Sequence, residues 1–234
     1  MSILSPYFSQ CVVEGRTPRF DRTEPLLIGF SVKNRAFDRG FFQSALSLAK
    51  DCFASLDVVI VDTPYAYNAA AKRGNASPTE AELQMASKVG DERLRMVQRS
   101  FAGLVSSAFP LRYWRWWQLR DEPTIERLRQ EMKYAYEANA SFHSAIRQYS
   151  VLWSTGAEES EAENYSNFLL EEFPVFVALY YGNGLLTDLY PGPNFTFFRR
   201  LEEGEWKDEL PESSLLASRR MLSFLNVGGV TATI

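Results

Sequence analysis

The sequence of 234 residues is poor in cysteine and histidine, which excludes several kinds of site. Its two cysteines, Cys11 and Cys52, form no disulfide framework and no zinc ligand set, and this scarcity favours a reducing, cytoplasmic location. The one histidine, His143, excludes a histidine-rich metal site and leaves few options for a histidine-based catalytic triad. We therefore expect no metal, and any chemistry must rely on other side chains.

Long hydrophobic runs and an excess of positive charge are also missing. No window reaches 18 uninterrupted apolar residues and residues 1–10 are too polar for a signal peptide, so we expect no membrane span. The net charge of −4 gives no global signature of nucleic-acid binding, so a basic site must be local. A hydrophobic content of 46% supports one full core, which predicts a single domain over residues 1–234 with an irregular leader at 1–25.

A strand–helix–strand pattern organises the beginning of the sequence. The apolar run 26–30 predicts a buried strand, and Asp38 is a suitable N-cap for a helix that ends near residue 54. The β-branched run 56–63 then predicts a central strand. Together these segments form a βαβ unit, which indicates an α/β fold with a parallel sheet.

The first predicted strand ends in Gly29-x-Ser31-x-x-Asn34. Open α/β sheets bind their ligands at this edge, where a strand opens into a turn before a helix. Gly29 would allow close backbone approach, Ser31 would present a hydroxyl and Asn34 an amide. An ordinary turn that uses serine and asparagine explains the same residues, so this motif alone does not decide between the two.

Residues 77–107 predict a long helix with a line of positive charge along it. Ser77 and Glu80 form a capping box at its start. Three cations share one face because they are spaced by seven and four residues, and a fourth lies nearby: Lys88, Arg95 and Arg99, with Arg93. A solvated face is the default interpretation, and docking of a phosphate backbone is the alternative.

The rest of the chain is predicted from its apolar spacing and its turn residues. Before and after the basic helix we expect a loop at 64–76 and an aromatic strand at 109–119 that serves both core and pocket. One helix is expected at 121–151, followed by a helix that Pro174 bends or ends. The remaining elements are expected to be a strand at 185–189, a short helix capped by Asn194, an acidic loop at 205–214 and a final helical stretch.

A carboxylate lies on the apolar face of the predicted helix before Pro174. Tyr165, Phe168 and Glu172 are spaced so that they share this face. An acid in such surroundings is either a salt bridge at a helix end or a group with a raised pKa, and the second case produces a general acid or base at neutral pH.

Taken together, several ordered stretches resemble the cyclodipeptide synthases, which join two aminoacyl groups from aminoacyl-tRNAs into a cyclic dipeptide. The resemblance covers about residues 26–200. Its motifs are Ile28-Gly29-Phe30-Ser31-x-x-Asn34, the strand at 57–63, the basic helix from Ser77, Glu172-Phe173-Pro174 and Tyr190-Pro191. The implied fold is a Rossmann-like parallel sheet flanked by helices, similar to the catalytic domain of class I tyrosyl- and tryptophanyl-tRNA synthetases.

The resemblance also implies a ping-pong acyl transfer and a role for each matching residue. Ser31 would take the first aminoacyl group as an ester, Glu172 would hold its amine and move a proton, and Tyr190 would assist. The implied aminoacyl site includes Gly29, Asn34, Val59 and Trp116, and the implied tRNA contacts are Lys88, Arg93, Arg95 and Arg99. No cofactor is implied, because an aminoacyl ester is already activated, and the expected state is a monomer that takes two aminoacyl-tRNAs in sequence.

The sequence departs from the family pattern at one catalytic position. Phe168 stands four residues before Glu172, where the family has a tyrosine, and Tyr165 lies one turn earlier. Either Tyr165 supplies the hydroxyl or this branch works without it. The departures indicate a divergent branch, and the fungal members that load arginine first are one candidate, although the sequence shows no acid for an arginine pocket.

Two other functions remain open at this point. An α/β serine hydrolase is disfavoured because Gly29-Phe30-Ser31-Val32-Lys33 lacks the second glycine of a nucleophile elbow. A non-catalytic module that binds aminoacyl-tRNA is supported by the phenylalanine at position 168.

Overall fold

The centre of the sheet is a parallel pair of strands, β2 (Pro25–Ser31) and β3 (Ser55–Val61), aligned from Pro25↔Ser55 to Ser31↔Val61. Helix α1 (Arg39–Cys52) joins them, and the Asp38 side chain caps it by accepting a 2.7 Å hydrogen bond from the Phe41 N–H. The predicted βαβ unit is confirmed in the computed structural model, which describes residues 12–15, 22–104, 109–153, 162–184, 187–190, 196–218 and 223–226.

Four further strands complete a six-stranded sheet of order β1-β6-β5-β2-β3-β4. They are β1 (Val12–Gly15), β4 (Leu111–Arg115), β5 (Thr187–Tyr190) and β6 (Ser223–Asn226). Five of the six strands run parallel, and β1 pairs with β6 in the antiparallel sense.

The helices cover the two faces of this sheet. Besides α1 they are α2 (Thr63–Ala71), α3 (Glu80–Phe101), α4 (Trp116–Arg120), α5 (Pro123–Ala138), α6 (Ala140–Trp153), α7 (Ala162–Val177), a π-helix (Ala178–Gly182), α8 (Thr196–Glu202) and α9 (Pro211–Ala217).

Strand alternation divides the interior into two cores. Leu26, Ile28 and Phe30 of β2 pack with the apolar face of α1 and part of α3, whereas Leu27 faces the core built on α5, α6 and α7. A parallel sheet between two helical layers is the α/β, Rossmann-like fold that the sequence predicts.

Several predictions near the basic helix are wrong. Residues 64–71 of the predicted loop at 64–76 are helical, because Asp62 caps α2 there. The capping box of α3 uses Thr79 and Glu82 instead of Ser77 and Glu80, and the helix ends at Phe101. The aromatic strand ends at Arg115, and Trp116 opens α4.

Other corrections concern the second half of the chain. The helix predicted at 121–151 is broken at Asn139, which ends α5 and whose side chain accepts a 2.8 Å bond from the Phe142 N–H to start α6. Helix α7 continues through Pro174 into the π-helix. Part of the predicted acidic loop is α9, and the helical stretch expected after it gives way to β6. The predicted cap Asn194 lies outside the described residues.

Candidate active site

Ser31 is the last residue of β2, at the carboxyl edge of the sheet, and its side chain is partly exposed. The turn that follows is closed by the Asn34 N–H, which donates to the Ser31 carbonyl over 3.1 Å, and Asn34 Oδ1 in turn accepts from the Ala36 N–H at 2.9 Å. Within the described ranges the Ser31 hydroxyl has no hydrogen-bond partner. Its oxygen is therefore held at a strand end with free lone pairs.

Gly29 is fixed two residues before Ser31 by close packing. A β-carbon at position 29 would lie 3.0 Å from Cζ and 3.1 Å from Cε1 of the Phe176 ring. The ring of Phe176 thus lies against the backbone of β2, on the face that Ser31 shares because alternate strand residues point the same way. A glycine is required here by this close approach.

Glu172 lies one helical turn before Phe176 on α7, so both side chains project toward the same face of the sheet. The carboxyl group is buried, with 8% of the residue exposed. Burial and, to a smaller extent, the nearby Asp188 carboxyl raise its pKa to about 8. Of the two interpretations that the sequence left open for this acid, the raised pKa therefore fits its surroundings on the Gly29–Ser31 side of β2.

Asp188 of β5 is a second buried acid of this site, and sequence reasoning missed it. Its Oδ2 accepts a 2.7 Å hydrogen bond from the Tyr180 hydroxyl, whereas its Oδ1 accepts none within the described residues. This bond and the nearby backbone N–H groups of Gly29 and Leu189 favour the charged form, but burial outweighs them and raises the pKa of Asp188 to about 7.

Tyr190 ends β5 beside the turn after Ser31. Burial and the nearby Glu172 carboxyl raise the pKa of its phenol well above the ordinary value, while a hydrogen bond with the Asn34 side chain lowers it. Its ring also contacts Phe37 at 5.8 Å between centroids. The fold therefore brings Ser31, Asn34, Glu172 and Tyr190 to one edge of the sheet.

The residues expected to line the aminoacyl pocket lie behind this edge. Val59 and Trp116 are fully buried, and the Trp116 ring contacts Phe176 at 5.8 Å. Phe168 is half-buried one turn before Glu172, and Tyr165 is buried one turn further toward the start of α7. Their contacts with a substrate stay predictions.

The cations of α3 differ in exposure. Lys88, Arg95 and Arg99 are exposed, whereas Arg93 is half-buried and directs its Nη1 to the Met96 sulfur at 3.8 Å. Lys33, another exposed cation two residues beyond Ser31, lies over the Tyr65 ring at 4.8 Å. Sequence reasoning missed Lys33, because its partner Tyr65 belongs to a helix in a segment that is predicted to be a loop.

An ion cluster centred on the buried Arg115–Asp62 pair anchors α3 to the sheet. Arg115 Nε donates to Asp62 Oδ2 at 2.8 Å, Arg115 also pairs with Asp91, and its Nη2 donates to the Ser87 carbonyl at 2.9 Å. Gly90 leaves the space for it, since a β-carbon there would lie 2.2 Å from Asp62 Oδ2. This cluster fixes where α3 lies relative to the strand ends.

His143 makes its contacts with Tyr136 and Glu163 and not with Ser31. Its ring stacks on Tyr136 at 4.3 Å between centroids, and its Nε2 is 3.6 Å from a Glu163 carboxylate oxygen. Across the parts of the chain that are described, no group of three or more acidic, histidine or cysteine side chains could hold a metal ion. Nor does any helix in those parts have the length and apolarity needed to cross a membrane.

Comparison with known proteins finds similarity in structure but not in sequence. No family model and no curated protein matches the chain. A cyclodipeptide synthase from Fluoribacter dumoffii superposes with a TM-score of 0.70 at 19% identity, over 93% of this chain and 98% of its own. A cyclodipeptide synthase from Bacillus thermoamylovorans gives a TM-score of 0.68 at 11% identity, over 95% and 99%.

The chain has the cyclodipeptide synthase fold. A third structure, from Mycobacterium tuberculosis, covers 76% of this chain with a TM-score of 0.61 at 15% identity, and its description relates cyclodipeptide synthetases to type I tRNA synthetases. The expected likeness to a synthetase-type catalytic domain therefore holds at the level of the fold. Membership of an arginine-loading branch stays a prediction.

Proposed function

We propose that the chain is a cyclodipeptide synthase that joins the aminoacyl groups of two aminoacyl-tRNAs through an aminoacyl-Ser31 enzyme. One observation carries the proposal. The free, partly exposed Ser31 hydroxyl lies at the carboxyl edge of a sheet with the cyclodipeptide synthase fold, on the face that the buried Glu172 approaches from α7. A nucleophile beside an acid of raised pKa suits acyl transfer between esters.

In the first step, Ser31 Oγ attacks the ester carbonyl of the first aminoacyl-tRNA. The bond from the acyl carbon to the ribose oxygen breaks, the serine ester forms, and the serine proton ends on the departing ribose hydroxyl. Ester exchange needs no ATP, because the acyl group arrives activated. Asn34 is suited to orient the acyl group, since its side chain is held by the turn and by Tyr190.

In the second step, the amine of the seryl-bound residue attacks the ester carbonyl of the second aminoacyl-tRNA. The first amide bond forms, the bond from the acyl carbon to the ribose oxygen breaks, and the tRNA leaves with a protonated ribose hydroxyl. The amine must lose a proton before it attacks, and an ordinary α-ammonium group has a pKa of about 7.7–8.0. Glu172, whose pKa is raised to about 8, matches that value and accepts the proton with little free-energy cost.

In the third step, the free amine of the dipeptidyl ester attacks the carbonyl bound to Ser31. The second amide bond forms, the cyclic dipeptide leaves, and Ser31 Oγ regains its proton. Tyr190, hydrogen-bonded to Asn34 and close to Glu172, is the group best situated to pass this proton.

We assign the tRNA contacts to the exposed cations of α3, because a phosphate backbone needs accessible positive charge. Lys88, Arg95 and Arg99 fit this role, Arg93 less well, and Lys33 adds a cation closer to Ser31. Phe168, one turn from Glu172, would contact the aminoacyl group through its ring and not through a hydroxyl. Two tRNAs bind in sequence to a monomer in this proposal.

The two alternatives make different predictions. A serine hydrolase needs a base for Ser31, but His143 is engaged with Tyr136 and Glu163. A non-catalytic module would bind aminoacyl-tRNA without reacting. The non-catalytic alternative is compatible with the fold and is separated from catalysis only by experiment.

The test is mass spectrometry of purified protein mixed with a full set of charged tRNAs. We expect an aminoacyl mass on the wild-type protein, a cyclic dipeptide in solution, and neither with Ser31→Ala. The matched control is Ser144→Ala, an exposed serine on α6, which should behave as the wild type. Retention of full activity by Ser31→Ala, or no acyl-enzyme and no product from the wild type, would overturn the proposal.

A further inference from the structure

The acid next to Glu172 has no part in the steps above, although it is completely enclosed. Asp188 is 5% exposed and lies on β5, where it pairs with Leu27 of the nucleophile strand. Lys, Glu, Arg and Asp are almost never fully buried without a charge partner. No cation faces Asp188 among the described residues, where the Tyr180 hydroxyl donates to its Oδ2 and its Oδ1 accepts no hydrogen bond.

One continuous helical face brings Glu172 toward Asp188. Glu172, Phe176 and Tyr180 are spaced by four residues from α7 into the π-helix, and the Phe176 and Tyr180 rings stack at 5.4 Å. Phe176 packs on Gly29, and the Tyr180 hydroxyl reaches Asp188 at 2.7 Å. Glu172 and Asp188 are thus fixed against the same segment of β2, and they repel each other when both are charged.

Among the described residues, the charged groups around Glu172 offer no compensation. Asp188 and Tyr190 of β5 and Tyr180 of the π-helix face it, and all three are acids. The arginines of α4 and α5 are used by the neighbouring Glu171, which lies 3.5 Å from Arg120 Nε and 3.2 Å from Arg129 Nε. Tyr67 of α2 also interacts with Glu171.

We propose that Asp188 is a positioning residue for the reaction: Glu172 and Asp188 form a coupled pair of buried carboxyls against one segment of β2, and the negative charge of Asp188 makes Glu172 a stronger base toward the substrate ammonium. Asp188 is the member that carries the charge, because the Tyr180 hydroxyl donates to its carboxylate over 2.7 Å, whereas Glu172 has the higher proton affinity. The role in catalysis rests on the proposed function, but the coupling of the two carboxyls does not.

The arrangement explains how a carboxylate can take a proton from an α-ammonium group. An ordinary glutamate, with a pKa of about 4.3, is too weak a base for that transfer. Burial is the larger cause of the raised pKa of Glu172, and the like charge of Asp188 adds to it because it disfavours a second charge. Removal of the Asp188 charge should therefore lower the pKa of Glu172 and slow the amine's attack at neutral pH.

The experiment is a ¹³C NMR titration of the side-chain carboxyl carbons in the full chain, assigned with Glu172→Gln. In the wild type we expect two carboxyl carbons to titrate near pH 7 and 8. In Asp188→Asn the Glu172 transition should fall by about 1–3 pH units. Asp57→Asn is the matched control, since Asp57 is a buried strand aspartate paired with Arg112, and it should leave the transition in place.

A second variant keeps the test decisive if Asp188→Asn does not fold. Tyr180→Phe removes one donor from the Asp188 carboxylate and should raise the lower of the two transitions. The proposal fails if both carboxyls titrate below about pH 5 in the wild type, since that is the ordinary range. It also fails if the Glu172 transition is the same with and without the Asp188 charge.

A kinetic readout separates this proposal from the proposed function. In an active wild type, the rate of product formation should rise with pH through the Glu172 transition. Asp188→Asn should move this rise to lower pH, together with the transition seen by NMR. If the pair titrates as expected but no cyclic dipeptide forms, the pair stands and the enzymatic function fails. If product forms but the rising part of the pH–rate profile is the same in the wild type and in Asp188→Asn, the function stands and the role of Asp188 fails.

Discussion

Replacing Gly90 by alanine should destabilise the protein, although alanine is the better helix former. The added β-carbon would lie 2.2 Å from Asp62 Oδ2 and 2.6 Å from Arg115 Nη2, so either α3 moves or the ion cluster breaks. Disrupting a buried ion pair costs about 3–5 kcal/mol, and alanine returns about 1 kcal/mol of helix propensity. The net loss should therefore be about 2–4 kcal/mol.

Urea denaturation followed by circular dichroism measures this loss directly. The control is Gly182→Ala, because a β-carbon at that position meets nothing within 4 Å and its stability should stay within about 1 kcal/mol of the wild type. The reasoning is refuted if Gly90→Ala is as stable as Gly182→Ala. A loss of tRNA affinity in Gly90→Ala, measured where both variants are folded, would further show that the cluster positions α3.

Three more predictions follow from the site. Glu172→Gln should flatten the pH dependence of the free energy of unfolding. An acid whose pKa is raised in the folded protein stabilises the fold fully below about pH 4.3, and this contribution is lost as the pH rises to about 8, at about 1.4 kcal/mol per pH unit. Urea denaturation at several pH values would measure the difference. Gly29→Ala should cost about 1–3 kcal/mol by pushing on the Phe176 ring and should slow acylation of the enzyme in single-turnover assays. Arg95→Glu should weaken tRNA binding and reduce its salt dependence, measured by fluorescence anisotropy, whereas the same reversal at exposed Lys133 of α5 should change neither.

The elements that could be predicted are those marked by a local sequence signal, such as an apolar run or an N-cap residue. The strand ending at Ser31 and the helix capped by Asp38 were predicted because an apolar run and an N-cap each act over a few residues. The start of α3 was wrong because the sequence contains two overlapping capping boxes, and Thr79 with Glu82 forms the one that closes. The helix at Thr63–Ala71 was missed because its alanines and turn-forming residues give no apolar period.

Tertiary contacts explain what was missed in the site. Ser31, Glu172 and Tyr190 could be proposed because each belongs to a motif, but the Arg115–Asp62 pair joins residues that are 53 apart in sequence. Asp188 did carry a signal. A strand between two parallel neighbours is buried on both faces, so an acid within it is unexpected for the fold and suggests a function.

The two buried acids lower stability at neutral pH, and aromatic packing on another face of α7 offsets that cost. Phe173 follows Glu172 directly and therefore points about 100° away around the helix. Its ring stacks on Phe197 at 4.1 Å, and Phe197 stacks on Trp206 at 5.5 Å. Each such ring contributes about 1.5–3 kcal/mol by burial, which holds α7 against the core while Glu172 is buried with no cation beside it among the described residues. The adjacent residues Glu172 and Phe173 thus combine the proposed catalytic carboxyl with the anchor that keeps it in place.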